Sequence, residues 1–210
     1  MDVVSDLDAP LAVKRDRLLD VLRSLRRVIV ALSGGIDSTL VAKAAHLALG
    51  ADASAITADS ASVPRAEIDL ARDIARSIGI SHRVVQTDEF SDPDYVKNDG
   101  ARCYFCKSEL YTRIEGLLPE IGDAVVCSGA NLDDQGDYRP GLKAAAEHRV
   151  RHPLQEAGFT KSDVRPLPAT GLVELGQTRR PLSSSRLAPG VTVTPERTSR
   201  VEERRSTCTS

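Results

Sequence analysis

The chain alternates between amphipathic stretches and short, continuous apolar runs. Apolar residues recur with helical spacing after Pro10, and proline is favoured in the first turn of a helix, so a helix is predicted there. The run from Val28 to Leu32 is apolar and rich in β-branched residues, which is typical of a buried strand. Further strands are predicted at 53–58, 82–86 and 123–127, and further helices at 37–49, 64–78 and 106–118. This alternation predicts an α/β fold, in which helices cover both faces of a parallel sheet.

The alternating pattern stops near Arg165. Residues 166–210 hold five of the eleven prolines, many Arg, Ser and Thr residues, and little periodicity. We therefore predict one domain over residues 10–165 and an irregular C-terminal segment over residues 166–210.

Composition and charge narrow the classes of function. The net charge of −2 gives no strong basic field for nucleic acid. No apolar run approaches the roughly 18 residues that span a membrane, and the acidic N-terminus lacks the apolar segment of a secretory signal. Four Cys residues are too few for a disulfide scaffold, which favours a reducing cytoplasm. These features predict a cytoplasmic protein with a small-molecule ligand and no nucleic-acid or membrane partner. They are compatible with both a monomer and a homo-oligomer.

The sharpest local signal is the loop Ser33-Gly34-Gly35-Ile36-Asp37-Ser38, which follows the first predicted strand and opens a helix. Small residues let backbone N–H groups approach an anion closely, and a helix N-terminus adds partial positive charge. Ser33 and Ser38 can donate hydroxyl hydrogen bonds. Asp37 would repel a bare phosphate, so it is predicted to hold Mg²⁺. The alternative is a glycine-rich turn in which Asp37 only complements the helix dipole.

Polar residues also follow two other predicted strands. Because ligands of open parallel sheets bind at the carboxyl ends of the strands, Thr57, Asp59, Asn131 and Asp134 are candidate nucleotide-binding residues. Polar turn chemistry is the alternative for both segments. The loop at 33–38 resembles the PP-loop of the ATP pyrophosphatase superfamily, an adenine nucleotide α-hydrolase-like fold. The resemblance implies that ATP is cut between its α and β phosphates, that a substrate is adenylated, and that adenosine lies at the strand end near Thr57.

Further motifs distinguish the members of this superfamily. Here they come in the order found in the LarE family, which the chain resembles across residues 15–165. They are Thr57-Ala58-Asp59-Ser60 with Val63-Pro64-Arg65, Arg102-Cys103-Tyr104-Phe105-Cys106-Lys107, Gly129-Ala130-Asn131-Leu132-Asp133-Asp134, Asp137-Tyr138-Arg139-Pro140-Gly141, Val150-Arg151-His152-Pro153-Leu154 and Glu156-Ala157-Gly158. Each fragment alone is weak, whereas the ordered set is specific.

The resemblance implies a sulfur transferase of nickel-pincer nucleotide cofactor biosynthesis. LarE proteins use ATP to adenylate a carboxylate of a pyridinium dicarboxylate mononucleotide and then convert that carboxylate into a thiocarboxylate. In many members the sulfur comes from a Cys of the enzyme, which is left as dehydroalanine; other members use an iron–sulfur cluster. Arg139 and Arg186 lie in the family motifs and are the candidate contacts for substrate. A solvated charged surface is the alternative for Arg139.

Cys103 and Cys106 form a CxxC pair whose role the sequence leaves open. A structural zinc site requires four ligands, and the sequence has no second CxxC pair to supply the other two. A redox dithiol would lie near a helix N-terminus, which the predicted helix at 106–118 could supply. A structural role, sulfur handling and cluster ligation therefore all remain, although an iron–sulfur cluster has no further support. If the pair handles sulfur, we expect it near the carboxyl ends of the strands.

The histidines carry no metal signature. None of the four forms an i, i+4 pair, so we predict no metal site for them. They are His46, His82, His148 and His152.

The resemblance breaks between Gly171 and Ser183. The family continues with W-D-K-P and a donor region C-L-S-S-R, whereas this chain has no Trp and carries Leu182-Ser183 where C-L is expected. One set of codons for residues 171–183, read one base out of frame, gives G-W-S-S-W-D-K-P-A-A-P-C. A second shift near residue 204 would restore a helical continuation. We hypothesise frameshifts that removed the donor Cys and truncated the C-terminal segment; a divergent natural C-terminus is the alternative.

Two other functions stay open at this point. Another PP-loop enzyme, a tRNA thiolase or an amidotransferase like NAD or GMP synthetase, would act on tRNA or form an amide. A non-catalytic remnant would bind ATP without turning it over.

Overall fold

The computed structural model describes residues 9–97, 100–135 and 140–165, together with Thr192 and Thr194. Within this part of the chain, four parallel strands form one sheet in the order β3-β2-β1-β4. The strands are β1 Val28–Ala31, β2 Ala53–Asp59, β3 Ser81–Gln86 and β4 Val125–Cys127. The helices are α1 Ala9–Leu25, α2 Ile36–Leu49, α3 Arg65–Ile78, α4 Pro93–Lys97, α5 Arg102–Ile121, α6 Pro140–Glu147, α7 Pro153–Glu156 and α8 Lys161–Val164.

Two hydrophobic cores, one on each face of the sheet, follow from the alternation of side chains along β1. Val28 and Val30 join a core with buried residues of α1, α2 and α3. Ile29 and Ala31 join a second core with buried residues of α5 and α6. All four side chains of β1 are buried, as expected for a central strand of a parallel sheet. The prediction of helices on both faces is therefore confirmed.

Helix α3 shows how the sequence pattern produces this packing. Most of its buried side chains are spaced at three to four residues and face the core, whereas most of its charged residues, such as Asp69, Arg72 and Asp73, are exposed to solvent. Gly79 ends the helix with φ of 82°, and its backbone N–H donates to the carbonyls of Ala75 and Arg76. The next strand, β3, begins two residues later, at Ser81.

Several predicted element boundaries were wrong, and three of these differences bear on the site. Helix α5 begins at Arg102, four residues before the predicted start, so the CxxC pair lies inside the helix. Strand β1 ends at Ala31, although the N–H of Leu32 still donates to the Ile56 carbonyl at 2.9 Å. Strand β4 begins at Val125, and Cys127 forms an additional parallel bridge with Arg151.

The order of the strands fixes where a ligand can bind. After β1 the chain adds β2 and β3 on one side, and β4 then pairs with the other side of β1. The carboxyl ends of β1 and β4 therefore flank the topological switch point, where open parallel sheets bind their ligands. Within the described ranges, no helix is both long and apolar enough to cross a membrane.

Candidate functional site

The loop after β1 folds into an anion cradle at the start of α2. Gly35 is the N-cap residue of α2, and it has no side chain that could cap the first turn of the helix. No side chain at the N-cap position therefore competes with an anion for the start of this helix, and helix N-termini of this kind bind phosphate. Ser38 anchors the loop, because its hydroxyl lies 3.1 Å from the Ser33 hydroxyl and donates to the Gly35 carbonyl at 3.0 Å.

Gly34 is required for the shape of this cradle. Its φ of 72° lies in the left-handed region, which residues with a β-carbon rarely adopt. A β-carbon there would meet only ordinary contacts, the nearest at 3.7 Å from the Glu67 carbonyl oxygen. Backbone conformation, rather than space, therefore demands glycine at this position.

The loop after β4 presses directly against the cradle. A β-carbon on Gly129 would lie 2.5 Å from the Ser38 nitrogen and 2.8 Å from the Asp37 carbonyl carbon. Two residues further on, the Asn131 side chain donates from Nδ2 to Asp37 Oδ1 at 3.3 Å. Asn131 is fully buried and forms a capping box with Asp134. The two loops thus form one continuous wall at the switch point.

The residues present fit ATP and Mg²⁺ in the way that PP-loop chemistry requires. In the described part of the chain, no group of three or more His, Cys, Asp or Glu side chains forms a metal site. Mg²⁺ needs only one or two protein carboxylates when phosphates supply its other ligands, and Asp37 stands at the mouth of the cradle. Among the described residues, no third His, Cys, Asp or Glu joins the CxxC pair to form a metal site, and an iron–sulfur cluster stays an unsupported alternative.

The carboxyl end of β2 lies next to the loop at 33–38 and forms a second wall of the cleft. The Thr57 hydroxyl donates to the Leu32 carbonyl at 2.7 Å and lies 2.8 Å from His82 Nε2. The carboxylate of Asp59 is already occupied, because it accepts hydrogen bonds from Arg65 and Gln86. Thr57 and Asp59 therefore position this wall, and both are almost fully buried.

A buried carboxylate that the sequence did not single out supports the same wall. Glu89 is 2% exposed, and its Oε1 accepts hydrogen bonds from Ser60 at 2.6 Å and from Ser62 at 2.5 Å. The sequence offers no signal for this cluster, since Glu89 lies in a short 3₁₀ turn about thirty residues after the two serines.

The CxxC pair lies at the carboxyl edge of the sheet. Helix α5 leads into β4, so its first turn lies at the edge where the parallel strands end. Cys103 is exposed and Cys106 is half-buried. Gly141 of α6 packs against this turn, since a β-carbon there would lie 3.5 Å from the Cys103 carbonyl oxygen. This order of elements agrees with the placement expected for sulfur handling, and the role of the pair stays a prediction.

Cys127 is the third thiol in the part of the chain that the structure describes, and it is buried. Burial, the largest influence, raises the pKa of Cys127 to about 12, so this thiol stays protonated at neutral pH.

His152 was passed over in the sequence because it lacks a metal-type spacing. In the structure it is the N-cap residue of α7, and its Nδ1 lies 2.8 Å from the Ser128 hydroxyl. Burial, the largest influence, lowers the pKa of His152; Glu156 opposes this, Lys107 adds to it and Asp134 opposes it. A half-buried histidine beside a predicted ligand loop is a signal that spacing rules do not detect.

Some predicted site residues cannot be placed. Arg139, Arg186, Leu182 and Ser183 lie outside the described residues. The site residues that the structure brings together are Ser33, Gly34, Gly35, Asp37, Ser38, Asn131 and Asp134, with Thr57 and Asp59 at the neighbouring strand end.

The fold and the cradle together define a class: a PP-loop nucleotide-binding protein. Residues 16–97 match the asparagine synthase family. The structure is similar to an NH₃-dependent NAD synthetase from Campylobacter jejuni, with a TM-score of 0.61, 17% identity, and coverage of 80% of this chain and 75% of that one. At that identity the likeness shows the fold alone, and it agrees with the predicted PP-loop architecture.

Two sequence relatives are much closer. One is an uncharacterised protein of Synechocystis sp., 43% identical over 189 residues, which are 90% of this chain and 70% of the relative. The other is the pyridinium-3,5-bisthiocarboxylic acid mononucleotide synthase of Lactiplantibacillus plantarum, 40% identical over 189 residues, or 89% and 68% of the two chains. The chain belongs to the LarE family of that synthase, as its ordered motifs predicted. A match of this length also extends past residue 165, into the C-terminal segment.

Proposed function

We propose that this protein uses ATP to adenylate a carboxylate of a pyridinium dicarboxylate mononucleotide and then directs sulfur transfer to that carboxylate. The step belongs to the biosynthesis of the nickel-pincer nucleotide cofactor. The observation that carries the proposal is the junction of the cradle at 33–38 with the loop after β4, through the contact between Asn131 and Asp37 at 3.3 Å. Family membership supplies the substrate class.

The chemistry follows from a simple requirement. A carboxylate is a poor electrophile until one of its oxygens becomes part of a good leaving group. In the proposed first step, a carboxylate oxygen attacks the α-phosphorus of ATP, and pyrophosphate leaves. In the second step, a sulfur nucleophile attacks the activated carbonyl carbon, and AMP leaves with its oxygen. Magnesium, when bound, would offset the negative charge of the departing pyrophosphate.

The chain supplies binding and orientation for the first step. The N–H groups of the first turn of α2 and the hydroxyls of Ser33 and Ser38 would hold the pyrophosphate. Asp37, fixed by Asn131, would hold the magnesium ion. Thr57 and Asp59 would shape the adenosine side of the cleft, and Arg139 and Arg186 are retained as contacts for substrate.

The first test is Mg²⁺-dependent binding of ATP, measured by calorimetry. We expect Asp37→Ala to weaken binding at least tenfold, about 1.4 kcal/mol, because a direct ligand of the ion is lost. The matched control is Asp69→Ala, which removes a carboxylate that pairs with Arg72 on the exposed face of α3. Unchanged affinity in the Asp37 variant would remove that residue from the proposed site.

Adenylation itself is tested by isotope exchange. Incorporation of labelled pyrophosphate into ATP should require the dicarboxylate nucleotide, since only a reversible acyl-adenylate links the two. Exchange supported instead by tRNA, or by the carboxylate substrate of an amidotransferase, would favour another PP-loop enzyme. Binding of ATP without any exchange would favour a non-catalytic remnant.

The fate of sulfur depends on Leu182 and Ser183. If they replace the C-L of the family donor region, no thiol stands at the donor position, and a serine hydroxyl cannot supply sulfur. We therefore expect little thiocarboxylate product, and no residue with the mass loss of a Cys converted to dehydroalanine. A frame-restored chain should show both. Normal product yield from the 210-residue chain would make Cys103 and Cys106 the first donors to examine.

The proposal includes a cytoplasmic location, which fits an enzyme that uses ATP and free thiols. The proposal specifies no oligomeric state, which light scattering would measure.

A further inference from the structure

His152 lies next to the carboxyl end of β4, held there by backbone hydrogen bonds. The N–H of Arg151 donates to the Val126 carbonyl at 2.9 Å, and the N–H of Ser128 donates to the Arg151 carbonyl at 3.0 Å. These bonds extend the sheet by one parallel bridge and bring His152 beside Ser128. The chain then enters α7 at Pro153, so the position of the imidazole is fixed from both sides.

The Ser128 hydroxyl bears on which nitrogen of His152 carries the proton. Its oxygen accepts from the Ala130 N–H at 3.4 Å and lies 2.8 Å from His152 Nδ1. When the hydroxyl proton is donated to Nδ1, a neutral imidazole carries its own proton on Nε2.

The Nε2–H group is left available to a ligand. It makes no hydrogen bond to the part of the chain that the structure describes, and it is not sealed in the interior either. Three titratable side chains on the surrounding elements bear on this imidazole. They are Glu156 of α7, Lys107 of α5 and Asp134 after β4.

The charges around the imidazole are largely compensated. The two Arg151 nitrogens donate to both carboxylate oxygens of Glu156, and one Asp134 oxygen accepts from the Asn131 N–H at 3.0 Å. The ammonium group of Lys161 lies 3.4 Å from the other Asp134 oxygen. The site is therefore not closed to an anion by these carboxylates, and Lys107 adds a positive charge nearby.

The loop that carries Ser128 also contacts the anion cradle. Gly129, the residue after Ser128, touches the backbone of Ser38 at the start of α2. We propose that His152 Nε2–H donates a hydrogen bond to a phosphate oxygen of the nucleotide bound at residues 33–38, with Ser128 fixing the required tautomer. The inference rests on the proposed function, because it needs a nucleotide in that cradle. It adds a positioning residue from α7 to a phosphate site otherwise built by α2.

The test compares two replacements at one position. His152→Ala removes the donor, and we expect about tenfold weaker binding of Mg·ATP, which corresponds to ~1.4 kcal/mol. His152→Gln should restore most of the affinity, because its side-chain amide can donate from a similar position. His148→Gln is the matched control: this histidine pairs with Glu115 at 2.9 Å on the α5–α6 face and should not affect ATP.

Different ligands identify the contacted group. Adenosine has no phosphate, so His152→Ala should bind it as tightly as the wild-type chain does. A loss for pyrophosphate assigns the contact to the β or γ phosphate, and a loss for AMP assigns it to the α phosphate; both support the inference. A loss of equal size for adenosine would overturn it, because the effect would then not involve phosphate.

A long-range proton–nitrogen NMR spectrum of the wild-type chain provides a readout that does not depend on a variant folding. We expect the Nε2–H tautomer for His152 at pH 8, and a shift of its Nε2 resonance on addition of Mg·ATP. An Nδ1–H tautomer, or equal ATP affinities of His152→Ala and wild type, would refute the inference. If wild type itself fails to bind ATP, the proposed function fails first, and the two failures are thereby distinguished.

Discussion

Replacement of Gly129 by Ala is the sharpest structural prediction. The added methyl group would lie 2.5 Å from the Ser38 nitrogen and 2.8 Å from the Asp37 carbonyl carbon. Carbon atoms prefer separations of about 3.5–4.0 Å from such neighbours, so one of the two loops must move by roughly 1 Å. Both close atoms belong to the backbone at the start of α2, where no flexible side chain can absorb the shift.

Two consequences follow from that displacement. Overpacking of this kind typically costs about 1–3 kcal/mol of unfolding free energy. The 3.3 Å contact between Asn131 and Asp37 would also be lost, so we expect at least tenfold weaker binding of Mg·ATP. Urea unfolding measures the first effect and calorimetry the second.

The control for this experiment is Gly116→Ala, on the exposed face of α5. A β-carbon there meets nothing within 4 Å, so the change should raise stability by about 0.5–1 kcal/mol and leave ATP affinity unchanged. If Gly129→Ala kept both wild-type stability and wild-type ATP affinity, the close approach of the two loops would have no role in forming the site.

Three further predictions test the surroundings of the site. A thiol reagent at pH 8 should label exposed Cys103 within the native protein, while Cys127, whose pKa burial raises to about 12, should react only after unfolding; mass spectrometry reads both. The hydrogen bond from Arg151 lowers the pKa of Glu156 in the folded state, so the ionised carboxylate stabilises the fold. Glu156→Gln should therefore lower the free energy of unfolding at pH values above the ordinary glutamate pKa. Urea unfolding at a series of pH values should show this difference disappear as the pH falls through the lowered pKa of Glu156. Thr57→Val should cost about 1–3 kcal/mol in the same assay, because the Leu32 carbonyl loses a buried donor.

The sequence predicted those features whose causes are local. A β-branched apolar run at 28–31, a glycine-rich turn and an amphipathic repeat at 65–78 each specify an element within a few residues of chain. The rule that ligands bind at the carboxyl ends of parallel strands then indicated which loops meet. The start of α5 was missed because Cys, Tyr and Phe are weak helix formers, so the pattern before residue 106 did not read as helical.

The contacts that complete the site could not be predicted from the sequence around each residue, because they join residues far apart in the chain. Nothing near Gly129 in the sequence shows that its α-carbon faces the Ser38 backbone, and nothing near Glu89 shows that Ser60 will donate to it. His152 was overlooked for the same reason, since its partner Ser128 lies 24 residues earlier in the chain. Such features depend on tertiary packing, which brings distant segments together only after the sheet has formed.

The contact between Asn131 and Asp37 joins residues 94 positions apart, and this separation has a kinetic consequence. Loops of that length close late, because their entropy cost must be met before the contact contributes any stability. During synthesis the segment holding Asp37 leaves the ribosome well before the segment holding Asn131. A nascent chain stalled before residue 125 would therefore lack β4 and the loop that follows it. Retention of stalled chains on immobilised ATP, measured against chain length, would time the completion of the sheet.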